Sequence, residues 1–213
     1  MYLVLPCFDW IGFHLCEKLL QQGEQVIGIG EARTARQDNF WGFLARNSSF
    51  QLFSTMEEYQ TGKTEAKLEA IIQIETVQKT PMLDAGNIPK KFFLSRVKQE
   101  KLQEEWCHVH LPLLYGEWMP RTEDSLTRPD GGTVPFNSES FLTDAVYIGD
   151  FFQEFLPLLE IKQPSKHIVM CPPGKEEDKR EVDAEVIPVL PSEKPELRQK
   201  KLNQHYEKFM PFY

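Results

Sequence analysis

Residues 5–30 read LPCFDWIGFHLCEKLLQQGEQVIGIG, and the side chains there that could do chemistry cluster at the turn between an apolar run and a helical pattern. Glycines spaced three apart at such a turn let backbone approach a pyrophosphate resting on the amides of a helix N-terminus. Counting back from Gly12, the other two places hold Asp9 and Pro6. Asp9 is a good helix N-cap, and a carboxylate in that place occupies the amides and the dipole that a phosphate would use. The candidates for any dinucleotide contact are the backbone at Trp10, Ile11 and Gly12 for phosphate, and Glu31, just beyond the second apolar run, for a ribose.

Three other patterns carry less. Tyr59 and Lys63 make a literal Tyr-x-x-x-Lys in EYQTGK, but two residues at one spacing arise readily by chance. His108 and His110 in CHVH fall on one face of a strand; spacing ties no third ligand to them, so they read as structural and no metal is expected. Cys7, Cys16, Cys107 and Cys171 lie far apart, without the paired spacing of zinc or redox sites, and read as small buried hydrophobes.

The elements that must position these residues follow from the apolar spacing. YLVLP is a continuous apolar run, as in a strand buried on both faces of a parallel sheet. Ile11, Leu15, Leu19 and Leu20 then recur at helical spacing up to a stop at Gly23, and EQVIGIG is a second strand. NFWGFLARN reads as a short helix, FQLFS as a third strand and KLEAIIQIETV as a fourth, centred on residues 70–74. After a loop marked by Pro81, Gly86 and Pro89, KKFFLSRVKQEKLQEEW reads as a helix with Phe93, Leu94 and Val97 on one side. HVHLPLLYG reads as a strand. DAVYIGDFFQEFLPLLE reads as a short strand and a helix capped by Asp150, kinked or ended near Pro157, and SKHIVMCPPG as a last strand.

Residues 119–143 are rich in proline and glycine and should form a surface excursion or a small cap. Residues 172–213 read as a charged linker and a helical extension. Its Leu197, Leu202, Tyr206 and Phe209, interleaved with Lys200, Lys201 and Lys208, suit a helix folded back on its own domain.

A chain of 213 residues, 41% hydrophobic and 26% charged, is long enough for one well-buried core. Its net charge of −8 argues against nucleic acid or an anionic membrane as partner. No stretch approaches the ~20 apolar residues that span a bilayer, and the opening strand pattern is not that of a signal peptide, so a cytoplasmic protein is expected.

Taken in order, these segments resemble the extended short-chain dehydrogenase/reductase family, the NAD-dependent sugar epimerases and dehydratases. HLCEKLLQQGEQVIGIG is similar to the family's opening, FFLSRVKQE to the helix bearing its catalytic Tyr-x-x-x-Lys, HLPLLYGEWMP to its Arg and Tyr-Gly strand, and DAVYIGDFFQEFL to its late strand and helix. The resemblance implies an α/β, Rossmann-like, doubly wound and mostly parallel sheet over residues 1–171, shortened relative to the family.

The resemblance also implies what has been lost. In the family a tyrosinate, its pKa lowered by the lysine and the cofactor, moves a proton while hydride moves to or from the nicotinamide. The tyrosine place here is Phe92, which has no titratable oxygen, and the lysine place is Arg96, a rigid fork in place of a compact ammonium. Gln73 and Glu75 end the fourth strand where the family has His and small residues, His110 and Leu113 stand at its Arg and Asn, and Gly30 at its ribose-binding acid. The segment between Glu75 and Phe92 is too short for a helix, a strand and a catalytic Ser or Thr, so the strand beside the fourth should be missing.

The expectation is therefore a catalytically inactive dehydrogenase- or epimerase-like protein without cofactor, with a binding, regulatory or structural role toward an unidentified protein or small molecule. The alternative is a divergent NAD- or NADP-binding oxidoreductase, epimerase or redox sensor using Trp10, Ile11, Gly12 and Glu31. The family dimer pairs the helix before the serine strand with the tyrosine helix, and a polar helix over residues 92–106 is a poor obligate interface. A monomer, or a dimer through another surface such as that of Tyr206, Phe209 and Phe212, is expected.

Overall fold

A computed structural model describes residues 1–62, 67–75, 86–97, 104–177 and 183–213. In chain order the elements are β1 (Tyr2–Leu5), α1 (Trp10–Gln21), β2 (Val26–Ile29), α2 (Ala35–Leu44), β3 (Phe50–Phe53), α3 (Met56–Thr61), β4 (Ala70–Ile74), β5 (Lys90–Ser95) and β6 (Cys107–His110). There follow β7 (Leu113–Tyr115), β8 (Ser125–Thr127), β9 (Thr133–Pro135), α4 (Glu139–Asp144), β10 (Ala145–Tyr147), α5 (Ile148–Phe155), β11 (His167–Cys171), β12 (Glu185–Pro188) and α6 (Pro195–Phe209). An eight-stranded sheet has the order β12-β11-β6-β5-β4-β1-β2-β3, a doubly wound, mostly parallel α/β arrangement. The chain divides into two units, Met1–Leu94 with Lys101–Cys107, and Ser95–Glu100 with His108–Tyr213.

In the first unit β1 is central because every residue of YLVL is buried, as the apolar run requires. It pairs in parallel with β2 and β4, and β4 in turn with β5. One face packs Leu3, Leu5, Ile27, Ile29, Ile71 and Phe93 with Leu68 and Trp106. The helical reading of residues 10–22 holds: Ile11, Leu15 and Leu19 are buried. Gly23, at φ 84°, lets the chain turn so that Glu24 N–H reaches the Leu19 carbonyl at 3.0 Å. Phe13 of α1 stacks on Phe40 of α2 with centroids 4.2 Å apart.

Three readings are corrected in this fold. Residues 90–95 are a strand, not the start of a helix. Phe92, Phe93 and Leu94 are all buried, so both faces are covered and the run is the continuous apolar pattern of a central parallel strand. Val97, counted on the helix's apolar side, is 56% exposed. Residues 98–103, the middle of that expected helix, lie outside the described residues. The strand beside β4 is accordingly present: Ala70 to Ile74 pair with Lys90 to Leu94. The dimer argument built on a polar helix over residues 92–106 loses its first turn.

Second, HVHLPLLYG is two strands. β6 pairs with β11, whereas β7, after Pro112, pairs with β10 in a separate two-stranded sheet. Third, Asp150 is not an N-cap. Tyr147 holds that place with no side-chain cap bond, and Asp150 lies inside the first turn of α5. The helix does end before Pro157, passing into a 3₁₀ turn over Leu156–Leu159. The excursion at 119–143 has structure of its own, a β8–β9 hairpin followed by α4, with Leu126, Val134 and Phe141 buried.

All four cysteines are buried and none is in a disulfide, as their spacing suggested. Among the described residues no helix is long and apolar enough to cross a membrane.

Candidate functional site

The first unit's turn is built from the carboxyl end of β1 upward. Pro6 has no N–H to offer, and Cys7 N–H is taken by the Ile29 carbonyl at 3.0 Å, extending the β1–β2 ladder into the turn. Asp9 is extended at φ −70°, ψ 149°, and its Oδ1 accepts from Ile11 N–H at 2.9 Å. This is the cap predicted from sequence. Phe8 and Trp10 are buried, so the bulky replacements for small turn residues pack into the protein.

Gly12 shows why one glycine of the three persists. A Cβ there would stand 2.1 Å from the Pro6 carbonyl oxygen, a backbone atom that cannot swing aside. The third glycine of such a turn serves close helix–strand packing, a structural need independent of any ligand. Of the three places, the one kept is therefore the one the fold needs, and the two that would serve a pyrophosphate hold Pro6 and Asp9. The turn does not suit a pyrophosphate: a carboxylate oxygen already accepts the amide of Ile11, and a second anion there meets like charge.

Burial pushes the Cys7 thiol up to about 12, so the one nucleophile in the turn stays protonated near neutral pH. Glu31, beyond β2, is exposed, and its Oε2 holds Arg33 through Nε at 3.0 Å and Nη2 at 2.7 Å. Arg33 N–H in turn donates to Gln37 Oε1 at 2.9 Å. On β4 Gln73 is buried, and Glu75 N–H donates to the Leu94 carbonyl at 2.8 Å.

Phe92 is in β5 and Arg96 just past it, so neither stands on a Tyr-x-x-x-Lys helix and the match of these two residues to that helix falls. The carboxyl end of β5 instead bears Ser95, which the helical reading had hidden. The signal was in the sequence: three consecutive apolar residues and a serine, FFLS, bounded by charges.

In the second unit Ser95 Oγ lies 2.7 Å from His108 Nε2 and donates to the Val97 carbonyl at 2.7 Å. A hydroxyl has one proton. With that proton on Val97, His108 Nε2 must carry the hydrogen between them, and the imidazole is then no base toward this serine. The His108 ring stands edge-on to His167, centroids 6.3 Å apart. Both Ser95 and His108 are buried, which fits the structural reading of CHVH. Tyr59, on α3, packs edge-on against Phe53, and Lys63 lies outside the described residues.

A second polar cluster in this unit was not foreseen. Asp150 Oδ1 accepts from Ser192 Oγ at 2.5 Å and from Arg198 Nη2 at 3.4 Å, and Arg198 lies over the Tyr147 ring at 3.7 Å. Tyr147 donates to Glu117 Oε2 at 2.8 Å. Burial, and after it Glu117, raises the Tyr147 phenol well above its ordinary value. Burial likewise takes Tyr115 up to about 12.

No family model and no curated protein matches the chain. Among solved structures it is similar to a tyrosine-to-phenylalanine mutant of UDP-glucuronic acid 4-epimerase from Bacillus cereus, in complex with UDP-4-deoxy-4-fluoro-glucuronic acid and NAD. The identity is 14% and the TM-score 0.48, over 90% of this chain and 87% of that one. It is also similar to yeast methylglyoxal/isovaleraldehyde reductase complexed with NADPH, at 10% identity and TM-score 0.47, over 99% of each chain. At such values neither likeness carries a residue's role to this chain.

Proposed function

We propose that the protein is a catalytically inactive, dehydrogenase-like Rossmann protein, whose phosphate turn has become a structural corner and which acts in the cytoplasm by binding a protein or small molecule. One observation carries this: Asp9 Oδ1 on the Ile11 amide at 2.9 Å, a carboxylate where a cofactor's phosphate would bind. The buried Ser95–His108 pair, with its proton directed away from the imidazole, supports it. The test is calorimetry and thermal melting with NAD, NADH, NADP and NADPH. The expected result is no heat and no rise in Tm, because a ligand selective for the native state must raise it. Turnover of a nucleotide sugar with stoichiometric NAD(P)H formation would refute the proposal.

A second reading is favoured by the strand order and the Glu31–Arg33 pair. Beside a dinucleotide's ribose, an acid suits a 2′-hydroxyl and an arginine suits a 2′-phosphate. It makes the protein a divergent NADP- or NAD-binding oxidoreductase, epimerase or redox sensor. Micromolar NADP binding lost in Arg33→Ala would establish it.

A further inference from the structure

We propose that Asp150, Ser192 and the ring of Tyr147 form a guanidinium receptor, filled here by the chain's own Arg198, and that this tethered occupant makes α6 a releasable latch. The recognition is that of a planar cation. Arg198 has its central guanidinium carbon over the Tyr147 ring, 3.7 Å from the centroid, while Nη2 reaches Ser192 Oγ at 2.9 Å and Asp150 Oδ1 at 3.4 Å. Its Nε faces Glu193 Oε2 at 3.7 Å, and Glu193 is also held by Lys201 at 2.5 Å. An ammonium has neither the plane to stack nor the fork to bridge a hydroxyl and a carboxylate. The Asp150 and Arg198 side chains are 7% and 11% exposed, so the slot is a built, desolvated one and not a surface ion pair.

The latch follows from how α6 is held, by polar and ring contacts more than by a buried apolar face. Of its 15 residues Leu202 is the buried one, and its N-cap, Lys194, makes no side-chain cap bond. A helix with so little apolar face gains little from burial, and its docking rests on a few pins. The first pin is Arg198. The second gathers the other end of the helix around Trp118 and Arg121: His205 and Phe209 pack on the Trp118 ring at 4.6 and 5.1 Å, Arg121 lies over Tyr206 at 4.4 Å and donates to Asn203 Oδ1 at 3.2 Å, and Tyr213 Oη accepts from Trp118 N–H at 2.9 Å and bonds His205 Nδ1 at 2.6 Å. Trp118 has φ 63°, so this pin fastens a backbone position that costs energy to hold. When the helix lifts at Lys194–Pro195, Asp150 and Ser192 remain behind with Tyr147. A buried carboxylate stripped of its cation is costly, and so the slot favours an arginine side chain supplied by another polypeptide.

Amide hydrogen exchange on the full chain tests both parts. In Arg198→Ala the α6 amides should exchange about ten-fold faster or more while β11 is unchanged. In this variant millimolar N-acetyl-arginine amide should fill the slot and slow exchange of the α5 amides around Asp150, N-acetyl-lysine amide should not, and adding Asp150→Asn should abolish the effect. Unchanged α6 exchange in Arg198→Ala, or an equal effect of both amides on α5, overturns the proposal. Should Arg198→Ala lose protection throughout residues 108–213, Arg198→Lys decides. It must loosen α6 alone and respond to the arginine amide; parent-like protection of α6 in this variant refutes guanidinium recognition.

Discussion

Asp9 and Asp150 stand at matching places in the two units, each at the start of a helix that directly follows a strand. Asp9 bonds an amide two residues on and closes the helix end from which it springs. Asp150 turns instead to Ser192 and Arg198, 42 and 48 residues away. One carboxylate completes its own local structure; the other fastens a distant helix. The difference lies in three residues of register: Asp9 is the cap of its helix, and Asp150 is the third residue past the cap of its own. A carboxylate at the cap position meets the free amides of the first turn, whereas one inside the turn has passed them and, once buried, must find a cation elsewhere.

The sharpest way to break this comparison is to remove both carboxylates separately. Asp150→Ala leaves Arg198 with Glu193, at 3.7 Å, as its counter-charge in a desolvated slot, and should cost the second unit up to about 3 kcal/mol, read by urea unfolding followed at the tryptophans. A cost under about 1 kcal/mol would mean that Asp150 is no more than a local helix residue.

Gly12→Ala should come next. The added methyl would meet the Pro6 carbonyl at 2.1 Å, so α1 must move off β1, at a cost of about 1–3 kcal/mol in thermal unfolding. A neutral result would remove the structural explanation for this glycine and return it to a ligand.

Alkaline titration separates the regions by window. The Cys7 thiol moves from 9.0 up to about 12 on burial, so its stabilisation is complete below pH 9 and is lost as pH climbs toward 12. The loss is about 1.4 kcal/mol per pH unit, and Cys7→Ala should be less steep by that amount in urea melts between pH 9 and 11. Cys16, also raised by burial, keeps part of the slope. In the second unit Tyr115 rises from 10.0 to about 12, so its contribution begins to fall only above pH 10.

The smallest effect belongs to Asp9→Ala, which removes one part-buried helix cap worth about 1 kcal/mol. A Tm drop of only a few degrees, without any gain of NAD binding, is the expected outcome.

The residues that misled are as instructive as those that did not. KKFFLSRV offers Phe93, Leu94 and Val97 at helical spacing and Phe92, Phe93 and Leu94 as a continuous run; both patterns fit one stretch. Burial of the first three residues of that run, with Val97 left exposed, decided for the strand. That choice restored the strand beside β4, brought Ser95 to its end and dissolved the match of Phe92 and Arg96 to a catalytic helix. HVHLPLLYG was misread as one strand for a similar reason, since only pairing partners distinguish β6 from β7.

The sequence by itself determined what short-range chemistry controls. The apolar run of β1, the helical spacing and Asp9 cap of α1, the glycine stop at Gly23, the burial of four cysteines outside any disulfide and the parallel α/β class all follow from residues within a few positions of one another. Tertiary structure alone decided the rest. Whether FFLS is strand or helix depends on which surfaces cover it. Whether a serine beside a histidine is poised or held depends on where its single proton goes. Whether Asp150 caps or binds depends on an arginine 48 residues further along, and no local pattern encodes a partner at that distance.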